Sequence, residues 1–79
     1  MKVRIEVRLK EGVLDPQGQA IAGSLATLGF AEVRGVRVGK LIEVDVAIAT
    51  AREAEAVARN MCEQLLVNPV IETAQLVVE

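Results

Sequence analysis

The sequence predicts an α+β fold, in which two helices cover one face of an antiparallel β-sheet. Three observations carry this prediction: apolar and charged residues alternate near the amino terminus, two apolar stripes recur at helical spacing, and β-branched residues are concentrated between and after them. The chain has 79 residues, fewer than the roughly 100–150 of a typical domain. We therefore expect one domain spanning residues 1–79.

The first predicted element is a strand over residues 2–10. Its apolar residues alternate strictly with Lys, Arg and Glu, which is the period-2 pattern of a strand with one buried and one solvated face. The buried set consists of Val3, Ile5, Val7 and Leu9. Gly12 then ends the alternation and starts a loop.

A helix is predicted over residues 16–28. Asp15 provides an N-cap acceptor, and Pro16 suits the first helical position because an N–H there would have no helical partner. An apolar stripe follows at helical spacing, formed by Ile21, Leu25 and Leu28. Gly29 stands where a left-handed C-cap is expected. We expect this stripe to cover part of the sheet.

Two further strands are predicted over residues 33–38 and 41–48, joined at Gly39. A two-residue connection would put the valines of the first of these strands on the face that carries Glu43, away from the apolar face of the second. A three-residue loop or a bulge restores the agreement, and Gly35 favours a bulge.

The last part of the chain is predicted to form a second helix and a final strand. Thr50 and Glu53 fit a capping box. The apolar stripe that follows contains Ala54, Val57, Ala58, Met61, Cys62, Leu65 and Leu66. Asn68 and Pro69 end the helix, since the residue before a proline disfavours helical backbone. Residues 70–78 are rich in β-branched residues and predict a strand.

The resulting order, βαββαβ, is that of a ferredoxin-like fold with a four-stranded antiparallel sheet and both helices on one face. In this arrangement the first and third strands lie side by side at the centre. Arg4 and Arg8 would then share the solvated face with Glu43 and Asp45, which brings opposite charges together across the strands. The charge pattern therefore agrees with the predicted topology.

Composition argues against several classes of partner. The formal net charge of −2 gives no basic surface for nucleic acid. No apolar run reaches the ~18–20 residues needed to span a membrane, and the chain begins with a charged strand rather than a signal peptide. We therefore expect a cytoplasmic chain without nucleic-acid or membrane partners.

The sequence offers few groups for catalysis or metal binding. It contains no His, Trp or Tyr, and Phe30 is its single aromatic residue. Ser24 lies within the first predicted helix, and Cys62 lies within an apolar stripe, where a packing role explains the cysteine. Neither residue has a histidine that could act as its base, because the sequence contains none. We expect no catalytic residue, no bound cofactor and no metal site in this chain.

Four short segments together are typical of one family. They are Leu9-Lys10-Glu11-Gly12-Val13-Leu14-Asp15-Pro16-Gln17-Gly18, Leu28-Gly29-Phe30, Val36-Arg37-Val38-Gly39-Lys40 and Asn68-Pro69-Val70-Ile71-Glu72. In this order, in a chain of this length, they closely resemble the PurS family, the small subunit of phosphoribosylformylglycinamidine synthase. Ala74 departs from the pattern, because similar chains often have tyrosine there, and this difference concerns local packing or an interface.

The resemblance implies a non-catalytic role in purine synthesis. In the family, a synthetase subunit uses ATP and Mg²⁺ to activate the amide of formylglycinamide ribonucleotide, and a glutaminase subunit releases ammonia from glutamine. A PurS-like chain would assemble these two partners so that ammonia reaches the nucleotide and is not lost to solvent. The whole complex is then an ATP- and glutamine-dependent C–N ligase.

Two groups of candidate contact residues follow. The candidates for contact with the partner subunits are Asp15, Gln17, Gly18, Arg37, Lys40 and Asn68, although each motif also has a structural explanation as a cap, turn or helix end. The candidates for self-association are Thr73, Gln75 and Val77 on the last strand. A small domain often gains stability by oligomerisation, and the resemblance also implies self-association. We expect a homodimer or tetramer formed by edge strands or the open sheet face rather than by the helices.

Two alternatives remain at the level of sequence. A regulatory module of the ACT type has the same βαββαβ order and binds free amino acids between dimerised copies, so binding of an amino acid by the isolated chain would favour it. The other alternative is a plain oligomeric scaffold outside purine synthesis.

Overall fold

A computed structural model describes residues 1–79 and contains three strands and two α-helices. The elements in chain order are β1 (Lys2–Leu9), α1 (Pro16–Thr27), β2 (Lys40–Asp45), α2 (Ala51–Met61), which continues into a π-helical turn (Cys62–Leu66), and β3 (Glu72–Val78). The predicted first, third and last strands and both helices are confirmed, with small differences at their ends.

β1 is the central strand of an antiparallel sheet with the order β2-β1-β3. Ile5 lies opposite Ile42 on one side and opposite Leu76 on the other, so apolar residues of all three strands share one face. Arg4 lies opposite Glu43 on the other face, as the charge pattern predicts. The pairing of the first predicted strand with the third is therefore confirmed.

The predicted strand over residues 33–38 is wrong, and so is the four-stranded ferredoxin-like sheet, because the sheet has three strands. A strand is stabilised by ladder hydrogen bonds to a neighbouring strand, and the protomer provides none for this segment. The Val38 N–H donates instead to the carboxylate of Asp15 at 2.7 Å. A run of valines predicts a strand only where a partner strand is available.

The hydrophobic core lies between the sheet and α2. Val3, Ile5 and Val7 of β1 are buried, and Ala54 and Ala58 of α2 are fully buried against them. The small alanine side chains let α2 approach the sheet closely. Most of the second apolar stripe therefore covers the sheet as predicted. Val57 and Leu65 do not, because they are 36% and 83% exposed.

α1 makes no extensive contact with the sheet, which contradicts the prediction that both helices cover one face. Ile21 is 43% exposed and Leu28 is 74% exposed, and Phe30, just beyond the helix, is 47% exposed. The molecule measures 49 × 24 × 14 Å and has a radius of gyration of 16.0 Å, whereas a compact chain of this length has about 12 Å. The protomer is therefore elongated, and the apolar stripe of α1 stays uncovered.

The helix ends follow their sequence signals. Asp15 caps α1, and Gly29, which follows the C-cap residue, has the left-handed φ of +100° that glycine adopts readily. At the start of α2, the Thr50 hydroxyl accepts a hydrogen bond from the Glu53 N–H at 3.3 Å. The π-helical turn brings the helical segment to its end just before Asn68, close to the predicted stop.

Cys62 belongs to the hydrophobic core, as its place in the apolar stripe predicts. Burial raises the pKa of its thiol above the ordinary value, because the charged form is desolvated there. The predicted packing role is therefore confirmed. Neither helix has the length and apolar character that crossing a membrane would require.

Candidate functional site

Three of the four family-like segments meet at one end of the sheet. Residues 9–18 follow β1, residues 36–40 lead into β2, and residues 68–72 lead into β3. Because both outer strands run antiparallel to β1, their starts lie beside its end. We call this region the strand-end junction, and it is the candidate functional site.

Asp15 links the start of α1 to the segment before β2. Its Oδ1 accepts a hydrogen bond from the Gly18 N–H at 2.9 Å, and its Oδ2 accepts one from the Val38 N–H at 2.7 Å. The residue is only 5% exposed. The hydrogen bonds from Val38 and Gly18 lower the pKa of Asp15, although desolvation acts in the opposite direction. The carboxylate is therefore charged at neutral pH and joins two segments that are distant in sequence.

Two glycines allow backbone segments to approach each other closely at the junction. Gly18 is buried, and a Cβ atom there would collide with the carbonyl oxygen of Val36. A Cβ atom on Gly39 would lie 2.6 Å from the carbonyl oxygen of Val7. Packing within the chain therefore explains both glycines.

Arg37 closes the loop that follows β1. Its guanidinium donates to the carbonyl of Val13 at 2.9 Å and to the carbonyl of Lys10 at 3.1 Å. Lys40 is exposed, and its ammonium lies 4.0 Å from the Glu72 carboxylate. Arg37 therefore has a structural role, whereas Lys40 forms only one long ion pair.

Asn68 shapes the turn before β3. Its side-chain oxygen accepts a hydrogen bond from the Val70 N–H at 3.0 Å, and its own N–H donates to the Glu72 carboxylate at 2.8 Å. Lys10 joins this turn to the end of β1, because its ammonium donates to the Pro69 carbonyl at 2.7 Å. Side chains and backbone thus connect all three segments of the junction.

All six candidate partner-contact residues lie in the junction, and four of them have an internal role. Asp15, Gly18, Arg37 and Asn68 are explained by contacts within the chain. Gln17 and Lys40 are exposed. Their contact with partner subunits stays a prediction.

The three candidate self-association residues share the open face of the sheet. Thr73, Gln75 and Val77 lie opposite Arg8, Glu6 and Arg4 of β1, respectively. Val77 is 48% exposed. This position leaves them accessible to another chain, and their role in self-association stays a prediction.

Sequence reasoning misses two residues that hold the junction together, Lys10 and Glu72. Their presence in the family-like segments is the only signal that the sequence provides for them. The Lys10 hydrogen bond spans 59 positions along the chain, and a local pattern predicts no such contact. The exposure of the α1 stripe is also not predicted from the sequence. An apolar stripe at helical spacing normally indicates a helix that packs within its own domain.

The fold and the junction are those of an α+β subunit that works through contact with other protein chains. Its motif residues hold the chain's own segments together, and an apolar helix face lacks a cover within the protomer. The chain belongs to the PurS family, because the family model described as phosphoribosylformylglycinamidine (FGAM) synthase matches residues 2–79. It is thus a subunit of a ligase complex of purine biosynthesis.

Individual relatives agree with the family match along nearly the whole chain. The PurS subunit of Bacillus subtilis is 42% identical over 78 residues, which is 99% of this chain and 92% of that protein. The PurS subunit of Archaeoglobus fulgidus is 41% identical over 73 residues, which is 92% of this chain and 91% of that protein. These relatives support the PurS hypothesis and give no support to the ACT-type alternative.

Solved structures of PurS proteins have the same fold. PurS of Methanocaldococcus jannaschii is similar with a TM-score of 0.88 and 35% identity, over 99% of this chain and 94% of that one. A chain in the structure of PurLQS from Thermotoga maritima is similar with a TM-score of 0.87 and 33% identity, over 96% of this chain and 93% of that one.

Proposed function

We propose that this chain is the assembly subunit of phosphoribosylformylglycinamidine synthase and supplies no catalytic group of its own. It joins the ATP-dependent synthetase subunit to the glutaminase subunit. The family match over residues 2–79 carries the proposal. The likeness to a chain in the PurLQS structure from Thermotoga maritima supports it, since that structure describes an assembly rather than an isolated PurS.

Bridging has a direct chemical benefit for this reaction. Ammonia released from glutamine at one subunit must reach formylglycinamide ribonucleotide at another, and free ammonia would be protonated and diluted in solvent. Holding the two subunits together raises the effective concentration of ammonia at the nucleotide. A chain whose motif residues fix its own backbone is suited to such a role, because bridging requires a defined shape and no reactive group.

The proposal places the cofactors in a partner and the complex in the cytoplasm. ATP and Mg²⁺ bind to the synthetase subunit, where the amide oxygen of the nucleotide is activated. This chain then contributes contacts with two different proteins and binds neither cofactor.

Self-association is a second part of the proposal. The exposed side chains of Ile21, Leu28 and Phe30 form an apolar surface that the protomer leaves in water. Burying this surface between two copies stabilises them by about 25 cal/mol per Å². The expectation that the helices stay out of the interface assumes that both of them cover the sheet. Because α1 does not cover it, we propose a homodimer or tetramer in which α1 takes part.

Reconstitution of the complex tests the bridging role. The synthetase and glutaminase subunits are assayed with and without this chain, once with glutamine and once with a high concentration of ammonium salt. We expect glutamine-dependent activity to require the chain, and ammonia-dependent activity to change much less because supplied ammonia bypasses a docking defect. Equal dependence with both nitrogen sources would mean that the chain shapes the synthetase site, which contradicts a purely bridging role.

A further inference from the structure

Residues 33–38 have the composition of a strand, and most of their backbone is unpaired in the protomer. No turn or bend interrupts residues 33–39, which lead directly into β2. The N–H and C=O groups of residues 34–37 form no hydrogen bond with another backbone group. Valine-rich backbone of this kind is normally stabilised by a neighbouring strand. A strand from outside the protomer would complete this segment.

The outer edge of β2 is also unpaired. The sheet order β2-β1-β3 leaves one side of β2 without a neighbour. Met1 and Val46 exchange two hydrogen bonds, at 2.7 and 2.8 Å. Every second residue of an antiparallel strand faces the same neighbour, so Val44 and Ile42 also direct their N–H and C=O groups towards β1. The residues of β2 that face the open edge are Leu41, Glu43 and Asp45.

The segment before β2 continues the same alternation. Because residues 33–39 lead into β2 without a turn, their odd-numbered residues should face the open side as well. The even-numbered residues agree with this, since the Val38 N–H donates to Asp15 and the Val36 carbonyl lies against Gly18 of the same chain. One side of the segment is thus occupied by its own chain, and the other side is free for a strand.

The segment does not pair with β2 of its own protomer, because the two form one continuous stretch. Pairing within the chain would require a hairpin at Gly39, and the backbone of Gly39 lies instead against β1, close to the Val7 carbonyl. A second copy offers the same β2 edge without a hairpin. Exchange of an identical element between two protomers is a common route to a dimer.

We propose that residues 35–39 of each protomer pair antiparallel with the open edge of β2 in a second copy. This inference rests on the self-association part of the proposed function and states how two copies meet. We expect the register in which Arg37 lies opposite Glu43 of the second copy, because both residues face the open side and their charges are opposite. In this register Val36 lies opposite Val44 of the second copy, so apolar residues share one face.

The pairing is two-fold symmetric, because each copy donates one segment and accepts another. Its axis passes through Lys40, where the two lysines come close. Each ammonium has the Glu72 carboxylate of its own chain 4.0 Å away, which offsets part of their repulsion. A symmetric interface of this kind is closed, so it gives a dimer rather than a filament.

The same pairing would give α1 a cover. α1 precedes the segment in the chain, so pairing brings α1 beside the sheet of the second copy. The stripe of α1 is uncovered in its own protomer, where Leu28 is 74% exposed. In the second copy, the partly buried Ile42 and Val44 offer an apolar surface at the edge of the core. One arrangement thus accounts for both the unpaired segment and the uncovered helix.

A pair of cysteines tests the register. In Val36→Cys/Val44→Cys, each new thiol lies opposite its counterpart in the second copy, in a pair without mutual hydrogen bonds. The Cα atoms of such a pair are about 4.5 Å apart, within the roughly 4.4–6.8 Å that a disulfide spans. Within one extended strand the same two positions are roughly 26 Å apart, too far for a disulfide.

Each protein is oxidised with diamide and separated on a denaturing gel without reductant. We expect a covalent dimer from the double variant only. The controls are the wild type, Val36→Cys and Val44→Cys, which retain the buried Cys62 but lack the full pair. An internal disulfide in a monomer would mean that a hairpin forms within one chain, and it would overturn the proposal. Absence of any disulfide would also overturn it.

Two proline substitutions test the edge without new thiols. Glu43→Pro removes an N–H that faces the open edge of β2, so the hydrogen bonds to β1 are kept. Ala74→Pro is the matched control, because Ala74 faces the outer edge of β3 in the same way: the Glu79 N–H donates to the Lys2 carbonyl, so the odd-numbered residues of β3 face β1. Circular dichroism checks that both variants fold.

Light scattering over a range of concentrations measures the dimer of each variant. We expect Glu43→Pro to weaken it at least about tenfold, because each dimer loses two hydrogen bonds between strands. Ala74→Pro should remain within about twofold of the wild type, since its edge is not used. Dissociation by Ala74→Pro and not by Glu43→Pro would move the pairing to β3 and overturn the proposal.

These results separate strand pairing from the proposed function. A wild-type dimer that resists Glu43→Pro and gives no covalent dimer with the cysteine pair would overturn strand pairing and leave self-association intact. A wild type that stays monomeric at micromolar concentration would contradict self-association itself. Glutamine-dependent activity of the reconstituted complex tests the bridging role independently of both.

Discussion

A single carboxylate, that of Asp15, determines how α1 and the segment before β2 are joined. Its role as an N-cap can be predicted from an aspartate placed directly before Pro16 and an apolar stripe. Its second hydrogen bond, to the Val38 N–H, spans 23 positions and depends on the path of the intervening chain. Local sequence signals therefore identify the cap but not the long-range link.

Replacement of Asp15 with Asn is expected to lower the melting temperature at pH 7. The amide oxygen of asparagine can still accept from the Gly18 N–H, so the cap is kept. The amide nitrogen would face the Val38 N–H, and two donors cannot form a hydrogen bond. Thermal melts of the two proteins at pH 7 measure the difference.

The difference should depend on pH because the folded state lowers the pKa of Asp15 below the ordinary value of 3.8. A lowered carboxyl pKa stabilises the fold fully above the ordinary value, and this stabilisation is lost as the pH falls through the folded-state pKa. Wild type and Asp15→Asn should therefore converge at the acidic end of a pH series. Glu11→Gln removes an exposed carboxylate from the same loop and should behave like the wild type at pH 7. A constant difference down to about pH 2 would contradict this account.

Among the helices and strands, the sequence predicts best those that are stabilised locally or by the core. The alternation in β1, the cap of α1 and the stripe of α2 each have a physical cause within a few residues, and all three elements form. Residues 33–38 have the composition of a strand but no neighbouring strand in the protomer, so they lack the partner on which a strand depends. Strand pairing depends on residues that are distant in sequence. This is why the prediction of a strand over residues 33–38 is wrong.

Two glycines of α1 provide a matched test of how the helix is attached to the following segment. A Cβ atom at Gly18 would collide with the Val36 carbonyl and would lie 2.8 Å from the Asp15 carboxylate, whereas a Cβ atom at Gly23 would meet nothing within 4 Å. Gly18→Ala should therefore lower the free energy of unfolding by about 1–3 kcal/mol, the usual cost of overpacking. Gly23→Ala should raise it by about 0.5–1 kcal/mol, because alanine favours the helix.

Urea unfolding of the two variants and the wild type measures both effects. The opposite signs are the important result, since the two substitutions are chemically identical and lie in one helix. A gain in stability for Gly18→Ala would mean that the segment before β2 does not lie tightly on α1. A loss for Gly23→Ala would mean that this side of α1 is covered in solution.

The elongated shape of the protomer has a cause that the sequence expresses only indirectly. α2 alone covers the apolar face of the sheet, and α1 extends away with its stripe in water. The apolar stripe of α1 predicts a buried helix face, but this face is exposed in the protomer, and the pattern does not specify which chain would cover it. Sequence patterning thus predicts that a surface is buried without distinguishing a domain core from a contact between copies.

We expect copies of this chain to meet through the uncovered stripe of α1. Leu28 is 74% exposed in the protomer, so Leu28→Lys should leave the protomer folded, yet it places a charge in any interface that α1 forms. We expect the wild type to be at least a dimer at micromolar concentration and Leu28→Lys to shift it towards the monomer. Native mass spectrometry and light scattering measure the distribution, and circular dichroism checks the helix content.

Two further lysine substitutions make the result specific to one face. Ala26→Lys adds the same charge to an exposed position on the opposite side of α1 and should leave the oligomer intact. Val77→Lys places the charge on the open face of the sheet, where the self-association candidates lie. Dissociation by Val77→Lys alone would move the interface from α1 to the sheet, and a wild type that stays monomeric would contradict self-association altogether. Dissociation by Leu28→Lys and not by Ala26→Lys would establish that the uncovered stripe of α1 is the surface through which copies of this chain meet.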